Sequence, residues 1–486
     1  MTDISGYAPV PGPADRESFF DAQVRHRRAS WWFTALSAGA IGLMGVPLSA
    51  VISPLLYAAA VLVLDLVNLV ARTPDLLRRF AESEAGRSNA PLTTEQLVVL
   101  AVFVVVPGSV VLLLSWLGVR RVFRRAATGG TLLALGAREP RAGDLEEHQL
   151  VNVAGEMAAA AGVPAPRVML LDADVPNAAA VGTRMDDATL VVTTGLLATL
   201  DRDETQAVIG HLVASVGNGD LRIGATVSSV FQTLGLVGSV LRAPSEGKPR
   251  TTLRRLLRWA FRRRGADDTA AAAELLTRAG AEWETDAPGG KEPGGFKSML
   301  LLPFVMAGGA FMLTSMIFGF LYVNPFLRRG WRARRHLADA AAVQLTRNPD
   351  ALARALAKLA TTGNVVPGTE WAAHLFVVSR PLGWQRPRGT KDESPMTTFH
   401  PSVPSRVQRL NAMGASVEVP GGVRTAAQRR ALVLTAVVTA PCWLPLAGVF
   451  TAIAFVLTGV SLAIDSLFLA PMVAVAHLLL RKAAGG

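Results

Sequence analysis

Apolar residues in this chain come in blocks far longer than a globular core needs. Residues 31–72 are almost unbroken, with Asp65 and Asn68 as late interruptions. One bilayer crossing takes about 20 residues, so this block is too long for one, and Pro47 and Pro54 predict a break into two spans or one span and a surface piece. Residues 97–118 read as a clean span ending at the arginines of 120–125. Residues 221–241 are a weaker candidate, interrupted by Arg222 and Gln232, and 298–323 a strong one. Residues 431–480 are long enough for two more, with Pro441 and Pro445 near a break. The pattern predicts six to eight spans.

Two stretches, 126–220 and 328–430, have shorter periods. Residues 144–162 follow helical spacing through Leu145, Leu150, Val151, Val153 and Met157. RVMLL at 167–171 and ATLVVTT at 188–194 read as strands, and the sequence from Thr194 to Asp220 as two helices. Asp201 is placed to cap the second of these, with Glu204 three residues on as in a capping box. Helices are predicted over 332–346 and 349–361, parted by Asn348-Pro349. Residues 242–296 differ in kind. A basic amphipathic segment at 251–265 favours lying on a membrane surface, or is a solvated charged helix. A polar, Gly-rich insertion follows it. The predicted order is a polar tail (1–30), an N-terminal membrane region (31–125), the split domain (126–220 and 328–430) around a membrane hairpin (221–327), and a C-terminal membrane region (431–486).

Composition agrees with a membrane class. Half of the 486 residues are hydrophobic, 18% are charged, and mean hydropathy is +0.34. The net charge is +12. Nucleic-acid binding is set aside, because the clusters at 25–28, 120–125 and 328–335 lie beside apolar spans. Under the positive-inside bias they mark the cytoplasmic face of a multi-pass protein of the cell membrane, and the soluble domain is expected there too. The single cysteine, Cys442, allows neither an intramolecular disulfide nor a Cys-based zinc site. The N-terminus has no basic segment leading into an apolar one, so a cleaved signal peptide is not expected.

The stretch AVIGHLVASVGNGD, 207–220, holds the frame of a zinc-protease helix without its working parts. That chemistry needs His-Glu-x-x-His, two ligands one turn apart and a carboxylate base between them. Here the frame reads His211, Leu212, Val213, Ala214, Ser215. Around it, LGAREP (135–140), AAAAGVPAPRVMLLD (158–172), PNAAAVG (176–182), the run 188–220, RRHLADAAAVQLTRNPDALARALAKLA (334–360) and FHPSVPSRVQRLNAMG (399–414) follow one another. In order and spacing they resemble the HtpX-like and CAAX-prenyl-protease-like membrane zinc metallopeptidases. The resemblance implies a mainly α chain: multi-pass transmembrane helices plus an α+β zincin-like (gluzincin) domain with a small β-sheet. It implies zinc held by two His and a Glu on the later helix. Carried over, His211 keeps the first ligand position, Ser215 stands at the second, Leu212 at the general base, and His336 at the later Glu, three residues before Asp339. Asn177 falls near the substrate-binding edge, and His400 and Arg406 on the substrate side.

A Ser hydroxyl is a poor zinc ligand beside imidazole or carboxylate, and Leu212 cannot take a proton, a loss of about 10²–10⁴ in rate. His211 and His336 could still form a two-His metal site, or be an inherited helix His and an ordinary polar residue on a basic helix. Asp220 reads as a capping or turn residue, and Arg406 otherwise as a residue on a helix surface. His148 is expected on a helix surface, and His374 in a structural role.

The chain therefore reads as a pseudopeptidase in contact with membrane lipid. It would bind a peptide or membrane-protein partner through the groove, by strand addition at the sheet edge, or act as a scaffold, with zinc absent or weakly held. One alternative is an active zinc metalloendopeptidase with a His211/His336 site. The other is a membrane protein acting through its spans, for which Asp65 is the only sequence feature.

Overall fold

The computed structural model describes residues 17–71, 94–242, 296–361, 366, 374–378, 400–419 and 426–483. The Arg-rich segment at 251–265, nearly all the insertion around it, most of the linker at 73–96 and the tail before residue 17 lie outside these.

The long apolar blocks form fewer and longer helices than their prolines suggest. Helix α1 (Phe19–Ala71) runs unbroken through Pro47 and Pro54. Ser49, between these prolines, hydrogen-bonds back onto the Gly45 carbonyl. Helix α2 (Thr94–Leu135) continues straight through the arginines of 120–125. It crosses α1 where Gly108 meets Ser49: the Gly108 amide donates to Ser53 Oγ (3.1 Å), Ser53 Oγ donates to the Val104 carbonyl (2.6 Å), and Ser49 and Ser109 share a bond of 2.9 Å. Among the described residues, five segments are long and apolar enough to cross a membrane: Phe19–Val63, Ala101–Arg121, Asp220–Arg242, Leu301–Thr346 and Pro445–Leu480. The apolar blocks that begin at 31 and 431, each long enough for two spans, lie in one helix apiece; at 1.5 Å per residue a helix of this length reaches about 80 Å and can project well beyond the bilayer.

Between α2 and the third crossing lies the first half of a mixed domain. Helix α3 (Leu145–Ala161) starts at Asp144, whose carboxylate accepts from the Glu146 and Glu147 amides, and ends at Gly162, in the left-handed region at φ 65°. Strands β1 (Arg167–Leu171), β2 (Ala178–Val181) and β3 (Thr189–Thr193) pair in the order β1-β3-β2, β1 parallel and β2 antiparallel to β3. A short helix α4 (Thr194–Thr199) leads into α5 (Arg202–Gly217), which carries the predicted capping box of Asp201 and Glu204. Helix α6 (Asp220–Arg242) leaves for the membrane. The chain returns through α7 (Phe296–Phe318), a π-helical turn (Gly319–Val323) and α8 (Asn324–Thr346), without a break at the predicted boundary near 328. Helices α9 (Pro349–Thr361) and α10 (Val403–Ala412) follow, and α11 (Ala426–Ala483) is one helix where two spans were expected.

One hydrophobic core draws on both sides of the membrane excursion. Leu150, Leu190, Val192, Val208 and Leu212 meet Val343, Leu352, Leu356, Val407 and Leu410 in it. Glu204 ties the same parts together through Lys358 (2.7 Å) and Arg354 (3.4 Å) of α9. Each piece has an apolar face too small to bury alone, so both fold onto one core.

Candidate active site

Helix α5 is enclosed on all sides, and this sets the chemistry of its motif. The His211 and Leu212 side chains are fully buried, and Leu212 belongs to the main core. Ser215, one turn on, gives its hydroxyl hydrogen bond to Asp220 Oδ2 (2.5 Å). Oδ1 of Asp220 accepts from Arg334 Nε (2.5 Å), and that guanidinium also donates to the Asn218 carbonyl (2.5 Å) and to Ser30 Oγ of α1 (3.0 Å). The second-ligand position is thus one corner of a buried polar knot joining α5, α6, α8 and α1. Asp220, expected to cap a turn, holds this knot together.

His211 and His336 converge on one carboxylate. Asp339 Oδ1 lies 2.8 Å from His211 Nδ1, and Oδ2 lies 3.9 Å from His336 Nδ1. Arg406 donates to both oxygens, from Nε (2.9 Å) and Nη2 (2.7 Å). His211 Nδ1 stands beside Asp339 Oδ1 without the alignment of a hydrogen bond, and neither ring nitrogen of His211 has a hydrogen-bond partner. Burial pushes the His211 imidazole below its usual pKa, against the pull of Asp339, and so favours the neutral ring. His336 is buried against His26 of α1, ring centroids 5.3 Å apart, and Arg409 Nη1 approaches His26 Nε2 to 2.8 Å. It is not an exposed polar residue on a basic helix: Arg334 and Arg335 beside it are buried as well.

The three residues expected near a substrate hold the chain's own backbone. Arg335 Nη2 lies within 3.0 to 3.3 Å of the His374, Leu375 and Phe376 carbonyls. Arg406 Nη1 donates to the Val377 carbonyl (2.8 Å) and Asn177 Nδ2 to the Val378 carbonyl (2.8 Å). His400 Nε2 contacts the His374 carbonyl (3.1 Å). Asn177, His400 and Arg406 are all buried, so Arg406 lies inside its helix packing and not on a surface. The Val377 amide bonds the Ala178 carbonyl, and Phe376 bridges Ala179. The outer edge of β2, which strand addition would use, is therefore already paired there by residues 376–377. His148 does lie on the surface. No group of three His, Cys, Asp or Glu is placed to hold a metal ion among the described residues.

Sequence reasoning missed His26, Ser30 and Arg335. His26 sits in what reads as a polar tail, and only the return of α8 against α1 brings it to His336. The RARR run at 332–335 was legible as charge, but nothing local says that its last two members turn inward.

A helical domain on a small mixed sheet, split around a membrane hairpin, with two helices bringing His211 and His336 onto one aspartate, is the frame of a membrane-bound metallopeptidase. The chain matches the model of Peptidase family M48 over residues 144–414, more than half its length, and belongs to that family. Relatives include proteins called protease HtpX homolog. That of Streptococcus equi subsp. equi (strain 4047) is 27% identical over 263 residues, 54% of this chain and 72% of the relative. That of Dictyoglomus turgidum is 28% identical over 280 residues, 57% of this chain and 73% of the relative. That of Syntrophobacter fumaroxidans is 28% identical over 285 residues, covering 58% and 82%. No solved structure matches the chain significantly.

Proposed function

We propose that this chain is a non-catalytic member of the family. In this reading it is a multi-pass membrane pseudopeptidase whose zincin-like domain, 126–220 with 328–430, binds or scaffolds a peptide or membrane-protein partner. The observation that carries the reading is the conversion of two chemical positions into structure. Leu212, at the base position, is core, and the Ser215 hydroxyl is committed to Asp220 and through it to Arg334. Among the described residues no group of three His, Cys, Asp or Glu is placed to hold zinc, which supports the reading. Arg406 occupies both oxygens of Asp339, which leaves the imidazoles of His211 and His336. Two imidazoles fall short of the three protein ligands a catalytic zinc site needs. Because strand pairing at the near end of β2 is already taken, a partner would dock on the outer surface of the domain or along its membrane helices.

Metal analysis and a protease assay on the purified full-length chain test this. The expected result is well under one zinc per chain and no chelator-sensitive cleavage of unfolded protein substrates. Restoring Leu212→Glu, Ser215→His and His336→Glu together should raise zinc binding. Stoichiometric zinc in the unmodified protein, with cleavage lost on His211→Ala, would overturn the reading. That outcome would establish a His211/His336 enzyme instead, an alternative favoured only by the unpartnered nitrogens of those two buried rings.

A further inference from the structure

A polar seam runs between two membrane helices far from the zincin-like site, and one of them, α11, lies beyond the region that the family match covers. On α11, Thr451, Thr458 and Asp465 recur every seven residues and so share one helix face. Thr458, Ser461 and Asp465 are buried. On the facing segment, Tyr322, Ser315 and Gly308 recur at the same interval, with Thr314 beside Ser315. Two contacts set the register. Tyr322 Oη and Thr451 Oγ1 are 2.7 Å apart, and the Phe318 and Phe455 rings lie 6.5 Å apart, edge to face. The helices are therefore antiparallel. Continued one turn at a time, this register sets Thr314 and Ser315 opposite Thr458, and the small residues Ala307 and Gly308 opposite Asp465.

Three oxygens in this seam are buried without a hydrogen-bond partner: Thr314 Oγ1, Ser315 Oγ and Asp465 Oδ1. The other carboxylate oxygen, Oδ2, receives only Ser461 Oγ at 3.2 Å. No ion pair to Asp465 forms among the described residues; Arg242 of α6, packed against Gly308, donates its Nε to the Gly238 carbonyl (3.4 Å). Residues 298–327 carry no charged side chain, nor do residues 33–64 of α1, which also packs on α11, and Asp465 is the only charged residue of 445–480. In this register Lys297 falls opposite residue 476, so it and His477 lie about three turns beyond Asp465, on the side away from Thr451.

We propose that Asp465 is a proton-binding carboxyl inside the membrane. An ionised carboxylate with one hydroxyl partner and no ion pair is not sustained in an apolar seam. Taking up a proton removes the charge and turns one carboxyl oxygen into a donor, among hydroxyl oxygens that can accept. Proton loss would draw water or a new partner into the seam, so the packing of α11 on α7 follows proton occupancy. The site is independent of whether the zincin-like domain is catalytic.

Carbodiimide labelling tests the proposal, because dicyclohexylcarbodiimide enters apolar regions and reacts with protonated carboxyls. The carboxyl proton passes to a carbodiimide nitrogen, the carboxyl oxygen bonds the central carbon, and the adduct rearranges to a stable acylurea that peptide mass spectrometry locates. The full chain is used in lipid nanodiscs, with Asp65→Asn to remove the other carboxyl of this region. Asp465 is expected to be the main modified carboxyl, with labelling that falls as pH is raised and is unchanged by sodium. Asp465→Asn should abolish the adduct, and Ser461→Ala should retain it. The adduct is read on the unmodified Asp465, so the result stands even where the Asn variant folds poorly. Absence of labelling at Asp465 at any pH down to the ordinary carboxylate range, about pH 4, would overturn the proposal. Protection by sodium would also overturn it, in favour of a metal-cation site.

Discussion

Arg406 and Asp339 form a buried ion pair with two parallel hydrogen bonds, and Arg406 holds the Val377 carbonyl as well. Removing one partner of such a pair leaves an uncompensated charge, typically a loss of about 3–5 kcal/mol. Arg406→Met should therefore lower the unfolding midpoint in detergent sharply. Arg406→Met with Asp339→Asn should recover part of the loss; equal midpoints for wild type and Arg406→Met would refute the pairing. His211 and His400 make the fold acid-sensitive. Burial depresses both imidazoles in the folded state, His400 well below its usual value with Arg335 adding to the effect. Below about pH 6.5 the unfolded chain binds protons that the folded one excludes, so stability falls as pH drops and levels off above neutrality. His400→Gln should show a shallower acid limb than wild type in denaturant unfolding at a series of pH values. An unchanged slope would mean that His400 takes up its proton without unfolding.

At the scale of elements, the crossing of α1 and α2 depends on a missing side chain. A Cβ on Gly108 would sit 2.1 Å from the Ser49 carbonyl oxygen, a backbone atom that cannot move aside alone. Close helix approach through small residues is the usual packing of membrane helices. Gly108→Ala should cost about 1–3 kcal/mol, as overpacking does. Gly118→Ala on the same helix meets nothing within 4 Å and serves as the control. Thermal unfolding of both variants in one detergent checks this; matched midpoints would place the crossing elsewhere. The element boundaries that were legible share a local cause. The Asp201–Glu204 capping box, the Asn348-Pro349 break and strand β1 each rest on residues within a few positions of one another. Strand β2 was not legible as a strand. Three of the four residues of Ala178–Val181 are alanine, a weak strand former, and the segment is held extended by β3 and Phe376 pairing with its two edges.

For the whole molecule, the five candidate spans of the described residues, if each crosses once, set the start of α1 and the end of α11 on opposite sides. Helix α1 starts beside the domain, where the Glu17 amide bonds the Ala412 carbonyl, while α11 runs away from it. Antiparallel packing of α1 with α8, through Gln23–Gln344 and Ser30–Arg334, sets the arginines of 328–332 near the level of Trp31 and Trp32, which are exposed on α1. Tryptophan and arginine together mark a membrane–water interface. We propose that this interface faces the cytoplasm. In a Cys442→Ser background, Met185→Cys should be shielded from an impermeant maleimide in intact cells and react after permeabilisation, whereas Lys482→Cys, exposed at the far end of α11, should react in both. Labelling of position 185 in intact cells would reverse the orientation.

The ordered motifs of 135–414 were enough to place the chain in its family, and the identities at 211, 212, 215 and 336 are what raised the proposal of a non-catalytic member. Both are properties of residue type and spacing, which a linear chain carries in full. The sequence could not say what the altered positions had become. That Ser215 is bonded to Asp220, that His336 stacks on His26 of a helix some three hundred residues earlier, and that Asn177, His400 and Arg406 hold residues 374–378 are outcomes of long-range packing. So is the burial of Asp465, an ordinary interruption in an apolar block until α7 is laid against it. A side chain's protonation, partner and access depend on which distant elements exclude water from it, and only the assembled fold decides that.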